Sequence, residues 1–182
     1  MKILIAEDDP VSCKVLEARL RNWGYDVVVT RDGNEAWQAL RGNEAPRLAI
    51  LDWMMPGIDG VEVCQKVRKD SEKPYTYIIF LTALNQVEDL VLGMNAGADD
   101  YIRKPVNEDE LRVRLHAGRR MIELQDELIA AREVFRESEE RLKTILESIQ
   151  AGVLIIDPET HVIIEANTFA CKIIGAVKER IV

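Results

Sequence analysis

Through roughly the first 115 residues the apolar positions follow two alternating rhythms. Short runs rich in β-branched or aliphatic residues are separated by longer stretches in which apolar residues recur every three or four places. Runs of the first kind suit strands buried on both faces, and stretches of the second suit helices with one apolar face. The pattern predicts strands at 2–6, 26–30, 48–51, 77–81 and 100–102, and helices near 11–23, 33–41, 60–68, 86–96 and from Asn107 onward. Gly24, Gly42-Asn43 and Gly97 follow the first, second and fourth helices as stop signals. Asn107 with Glu110 forms a capping box for the last helix. Strand and helix in strict alternation predict an α/β fold, a doubly wound parallel sheet of five strands ordered 2-1-3-4-5.

The last helix meets no breaker between Gly118 and Gly152. From Met121 a three-four spacing runs through Leu124, Leu128, Ala131, Phe135, Ser138, Leu142, Ile145 and Ile149, the core positions of a coiled coil over four heptads. With Met121 at position a, Glu127 and Arg132 fall where they attract across two parallel, in-register chains. A helix from Asn107 to Ser148 would be about 60 Å long, more than a domain of this size can cover. The expected organisation is a first domain over 1–120, a coiled-coil linker over 121–149, and a different segment over 150–182. In that segment "VLIIDPETHVIIEAN" reads as a hairpin turning at Asp157-Pro158-Glu159-Thr160, after which Asn167 caps a short helix. So little structure cannot form its own core, so it is expected either to end inside a second domain or to lean on a partner chain.

A net charge of −8 on 182 residues argues against nucleic-acid binding, which rests on clustered Lys and Arg. Neither a signal-peptide core nor a membrane-spanning run is visible, so a cytoplasmic protein without membrane contact is expected. Cys13, Cys64 and Cys171 are odd in number and widely spaced, which suits reduced, half-buried thiols better than disulfides or zinc ligands.

The chemistry gathers at strand ends. Glu7, Asp8 and Asp9 follow the first strand, Asp52 ends the third, Thr82 the fourth, and Lys104 follows the fifth. In a 2-1-3-4-5 sheet these share one edge, with Asp8 and Asp52 at the point where the winding reverses. Carboxylates so close need a proton or a cation between them. Oxygen donors without nearby His or Cys favour Mg²⁺, with Mn²⁺ a possible substitute. A bound cation, a carboxylate, a lysine and a hydroxyl are what transfer of a phosphoryl group to Asp52 requires. Taken singly, Asp9 reads as a helix N-cap, Thr82 as a strand-end residue, Lys104 as a solvated charge and Tyr101 as an edge aromatic; their joint placement favours the site.

Glu7-Asp8-Asp9, Asp52-Trp53-Met54-Met55-Pro56-Gly57, Leu81-Thr82-Ala83 and Lys104-Pro105 together resemble the receiver domain of two-component response regulators, over residues 1–120. The resemblance implies a flavodoxin-like fold with Asp52 as phosphoacceptor for a sensor histidine kinase or phosphotransfer protein. It implies Asp8 as a direct Mg²⁺ ligand, Glu7 acting largely through water, and the Met54 carbonyl as the third protein ligand. It further implies Thr82 and Lys104 as phosphoryl-binding groups, a cis Lys104–Pro105 bond, and Tyr101 as an aromatic that swings inward on phosphorylation. Such a protein is a regulatory phosphoacceptor rather than an enzyme. Two positions that line the water path in the family are Met54 and Leu84 here, which implies slow hydrolysis of the aspartyl phosphate.

From Glu139, "EERLKTILESIQAGVLIIDPETHVIIEANTFACKIIG" resembles the opening of a PAS domain, a partial α+β segment whose ligand is unknown. The helix between would carry the state of Asp52 to an output through a parallel homodimer. His116 and His161 do not sit in a kinase phosphoacceptor motif, and no helix-turn-helix or cyclase motif is present. The alternative is a receiver fold serving as a dimerisation scaffold without switching. A phosphatase acting on small molecules is disfavoured, because Asp52-Trp53-Met54 lacks the Asp-x-Asp nucleophile pattern.

Overall fold

The computed structural model of the chain describes residues 1–70, 73–83 and 87–175. It divides into two compact units, Met1–Asp126 and Glu127–Val182. In the first, strands β1 (Lys2–Ala6), β2 (Asp26–Thr30), β3 (Leu48–Asp52), β4 (Tyr77–Thr82) and β5 (Asp100–Arg103) alternate with helices α1 (Pro10–Asn22), α2 (Gly33–Leu40), α3 (Gly60–Lys69) and α4 (Val87–Asn95). Helix α5 (Glu108–Ser148) follows β5. The expected start of the fourth helix at Gln86, and Leu84, lie outside the described residues.

The sheet has the order β2-β1-β3-β4-β5, and its pairings are parallel. Alternating side chains sort the core into two layers. Ile3, Ile5, Ile50, Ile79 and Leu81 pack with Leu16 and Leu20 of α1 and Leu111 and Leu115 of α5. Leu4, Ala6, Leu51 and Phe80 pack with residues of α2 and α3 on the other face. Central strands β3 and β4 are buried at every position, as parallel strands with both faces covered must be. Cys13 and Cys64 are wholly buried rather than half-buried, because each lies on the core-facing stripe of its helix; Cys171 is partly exposed.

Helix starts follow one device. Asp9, Asp32 and Asp59 cap α1, α2 and α3 by accepting from the backbone N–H of Ser12 (2.7 Å), Glu35 (2.8 Å) and Glu62 (2.7 Å). Asn107 caps α5 through Glu110 N–H at 3.0 Å. Gly24, Gly42-Asn43 and Gly97 each follow a helix end, as expected; Gly24 and Gly97 take positive φ, whereas α2 closes on Arg41 in right-handed geometry.

The second unit holds the rest of α5, an antiparallel pair β6 (Leu154–Ile156) and β7 (Ile163–Ala166), and α6 (Thr168–Ile174). The hairpin loop is longer than the anticipated four residues. Asp157 Oδ1 accepts from the N–H groups of Glu159 and Thr160, and His161 then takes a left-handed φ of 58° before the chain re-pairs at Val162. Among the described residues no helix is long and apolar enough to cross a membrane.

Candidate functional site

The ends of β1, β3, β4 and β5 carry the site. Register pairs Ala6 with Leu51, so the next residues, Glu7 and Asp52, come level across adjacent strands. The backbone beyond β3 is fixed by Trp53 N–H donating to Leu81 carbonyl at 2.9 Å and by α3 starting against it. A Cβ at Gly60 would overlap the Asp52 carbonyl, so only glycine lets α3 begin so close. Between them, Gly57 turns the chain with φ +82°.

Lys104 Nζ lies 2.8 Å from Asp52 Oδ2 and 2.8 Å from Glu7 Oε2, and donates to Glu7 Oε1 at 3.0 Å. Its backbone N–H is bonded to the Thr82 carbonyl at 2.8 Å, which holds the end of β5 against the end of β4. The Lys104–Pro105 bond is cis. Glu7 is 1% exposed and Asp52 7%, whereas Asp8 stands in solvent. Carboxylate oxygens of Glu7, Asp8 and Asp52 all fall within 4.8 Å of one another. Burial raises the Glu7 carboxyl above its ordinary value; the Lys104 hydrogen bond pulls it back and the Asp52 charge raises it again. Burial works against the Lys104 ammonium, but hydrogen bonds to Asp52 and Glu7 outweigh it and hold its pKa above the usual lysine range.

Glu7 Oε2 faces the ammonium outside hydrogen-bonding geometry, leaving a buried oxygen with an unfilled lone pair. Together with an all-oxygen donor set open on the Asp8 side, that fits a hard divalent cation such as Mg²⁺. Asp9 is not among these oxygens; it caps α1, and its bonds from Ser12 hold its carboxyl below the usual range.

Thr82 is fully buried at the end of β4, and Tyr101 is half-buried against the layer that includes Trp53 and Phe80. The Met54 side chain is 67% exposed. Trp53, by contrast, is buried edge-on to Phe80 with centroids 5.2 Å apart, and a Cβ at Gly93 would strike its ring at 2.6 Å. The residue next to Asp52 therefore packs directly under α4. Neither this contact nor the Glu7–Lys104 ion pair is readable from sequence spacing. The sole hint for the first is a glycine within the amphipathic stretch of α4, and for the second an acid directly after a buried strand.

A profile of the response regulator receiver domain matches residues 3–116, and a profile of the PAS domain matches residues 140–182. The "Probable transcriptional regulator ycf27" of Porphyridium aerugineum is 44% identical over 122 residues, covering 67% of this chain and 49% of that protein. The "DNA-binding response regulator MtrA" of Mycolicibacterium smegmatis is 42% identical over 116 residues, covering 64% of this chain and 49% of its own length. The chain thus spans about half the length of these curated relatives. Among solved structures, the receiver domain of the Francisella response regulator 1452 superposes with a TM-score of 0.59 at 33% identity, covering 64% of this chain and 94% of that one. The signal receiver domain of a signal transduction histidine kinase from Syntrophus aciditrophicus gives 0.59 at 32% identity, covering 67% and 89%.

Proposed function

The chain belongs to the response regulator receiver family and carries the receiver domain of a two-component response regulator, and from that premise we propose that it is a phosphorylation-controlled switch with Asp52 as phosphoacceptor. The observation that carries this reading is the Lys104 ammonium 2.8 Å from an Asp52 carboxylate grouped with Glu7 and Asp8.

An Asp52 oxygen attacks the phosphorus of a phosphohistidine on a sensor kinase or phosphotransfer protein. A P–O bond forms, the donor P–N bond breaks, and the imidazole leaves neutral, keeping the proton that the donor histidine already carries on its other ring nitrogen. Lys104 holds the developing negative charge, and the Thr82 hydroxyl receives a phosphoryl oxygen. Asp8, Asp52 and the Met54 carbonyl, with Glu7 acting through water, would hold a Mg²⁺ ion, which would supply further charge neutralisation. Once Lys104 and Thr82 engage the phosphoryl group, the space over Thr82 becomes available to Tyr101, which links the chemistry to the β5 surface.

Beyond the receiver, α5 is the proposed conduit. Leu124, Leu128, Phe135, Leu142 and Ile145 all stand exposed along it, Phe135 at 65%. An apolar seam of that length favours a second copy in parallel, with Glu127 facing Arg132 of the second chain. The same seam favours a second reading, in which the receiver fold serves only as a dimerisation scaffold. Beryllofluoride with Mg²⁺, followed by sedimentation velocity, separates the two. The switch reading expects wild-type protein, and not Asp52→Ala, to change its sedimentation with the mimic; the scaffold reading expects both to remain the same dimer throughout. Leu128→Asp is expected to yield monomers in either case.

A further inference from the structure

Asn167 does more than cap α6. It is 3% exposed, and both ends of its carboxamide are engaged. Oδ1 accepts from Ala170 N–H at 2.9 Å, which is the cap, and from Val153 N–H at 3.0 Å at the start of the hairpin. Nδ2 donates to the carbonyls of Leu146 (3.0 Å) and Ala151 (2.9 Å), with that of Ile149 at 3.5 Å. The last carbonyls of a helix have no intrahelical donor, so the bond to Leu146 satisfies one in the last turn of α5, which ends at Ser148, while those to Ile149 and Ala151 hold the segment that follows it. Glu147 in the last turn of α5 adds a second tie, accepting from Thr168 N–H at 2.9 Å.

We propose that Asn167 is the joint through which α5 moves the hairpin and α6, a positioning residue that transmits helix displacement into the PAS segment. A helix cap requires the Ala170 bond alone; the bonds to Leu146, Ala151 and Val153 serve to connect three elements on one buried amide. Because an unmade buried hydrogen bond is costly, a shift or rotation of α5 carries β6 and α6 with it or breaks the clasp as a unit. The proposal rests on the reading of α5 as the conduit, but its physical core stands apart from phosphorylation.

Aspartate separates the two roles. It caps a helix as well as asparagine does, yet it cannot donate to carbonyls, and its charge is repelled by the C-terminus of α5. The test is hydrogen exchange by mass spectrometry on the full chain in Mg²⁺, for wild type, Asn167→Asp, Asn167→Ser and Asn167→Ala. Asn167→Asp is expected to speed exchange over 149–153 by about tenfold or more while leaving 168–171 and the receiver within about twofold. Asn167→Ser, uncharged and too short to reach the carbonyls, is expected to divide the segments the same way, and Asn167→Ala to speed both. Unaltered exchange over 149–153 in Asn167→Asp and Asn167→Ser overturns the proposal. So does equal acceleration over 168–171 in both, which is general unfolding.

Beryllofluoride then reads the relay. In wild type the mimic is expected to alter exchange on both sides of residue 150, and in Asn167→Asp to alter it only before. An undiminished response beyond 150 in the variant overturns the joint. A wild-type response confined to the receiver defeats the conduit reading, and the joint is then judged on the first comparison alone.

Discussion

Lys104 Nζ stands 2.8 Å from Asp52 Oδ2 while sharing its remaining charge with Glu7 beneath it. One ammonium therefore bridges two carboxylates that strand register forces together and offsets part of their charge, and Asp8 adds a third at the solvent edge. Removing that ammonium uncovers the repulsion. Lys104→Met is expected to lower unfolding free energy in chelator by about 1–3 kcal/mol, below the cost for a fully buried pair because Lys104 is partly exposed. Millimolar Mg²⁺ is expected to restore more stability to the variant than it adds to wild type. Urea titrations with and without Mg²⁺ check both; equal stabilisation of the two proteins would contradict the account.

Cation binding has an optical reporter. Trp53 adjoins Asp52 and is buried against Phe80, away from the influence of solvent. Mg²⁺ addition is expected to change tryptophan emission saturably in wild type, and the change is expected to disappear in Trp53→Phe and in Asp52→Ala. Persistence of the signal in Trp53→Phe would move the reporter to Trp23 or Trp37 and count against an assembled site at Asp52.

Dephosphorylation is expected to be slow. Met54 is exposed and offers no group that can orient water toward the phosphorus. Phosphorylated protein is expected to lose its label over minutes to hours without a phosphatase, and Met54→Asn to shorten that lifetime by about tenfold. A wild-type half-life of seconds would show that another group directs the attack.

Much of this is legible in the sequence, because local patterns carry it. The continuous apolar runs 48–51 and 77–81, set between amphipathic stretches, read as buried strands, and strand ends place Asp52, Thr82 and Lys104 on one edge of a parallel sheet. What depends on long-range contact was not legible. That Glu7 is sealed under Lys104, that Trp53 rests on Gly93, and that Arg68 reaches Gly97, Thr76 and Asp99 at 2.7–2.8 Å all join residues distant in sequence. Asn167 shows both sides: its cap to Ala170 is local and was readable, while its grip on Leu146, 21 residues earlier, was not. Gly42 follows the end of α2 as the sequence suggested, yet α2 closes on Arg41 without a left-handed residue, because a glycine near a helix end permits positive φ without requiring it.

Alkaline pH should find the core before the site. Burial pushes the Cys64 thiol from 9.0 up to about 11, and burial together with the Asp100 charge pushes Tyr77 from 10.0 up to about 12. Both groups bind their protons more tightly folded than unfolded, so stability is intact below pH 9 and falls as pH rises through the folded values. Cys64 alone is expected to cost about 1 kcal/mol between pH 9 and 10, and Cys64→Ala to flatten the curve by that amount. Denaturant midpoints across pH 8 to 10.5 read the slope directly; a flat profile in wild type would contradict the burial of these groups. At pH 8, in native protein, Cys171 is expected to react with a thiol reagent well ahead of Cys13 and Cys64.

The central claim is that Asp52 accepts a phosphoryl group, and intact-mass spectrometry after incubation with phosphoramidate tests it most directly. In Mg²⁺ the wild-type chain is expected to gain a single phosphoryl group that hydroxylamine removes, as an acyl phosphate requires. Asp52→Asn, and wild type in chelator, are expected to gain none. Full labelling of Asp52→Asn, or an unlabelled wild type whose Trp53 still responds to Mg²⁺, would contradict the assignment of Asp52 as the phosphoacceptor.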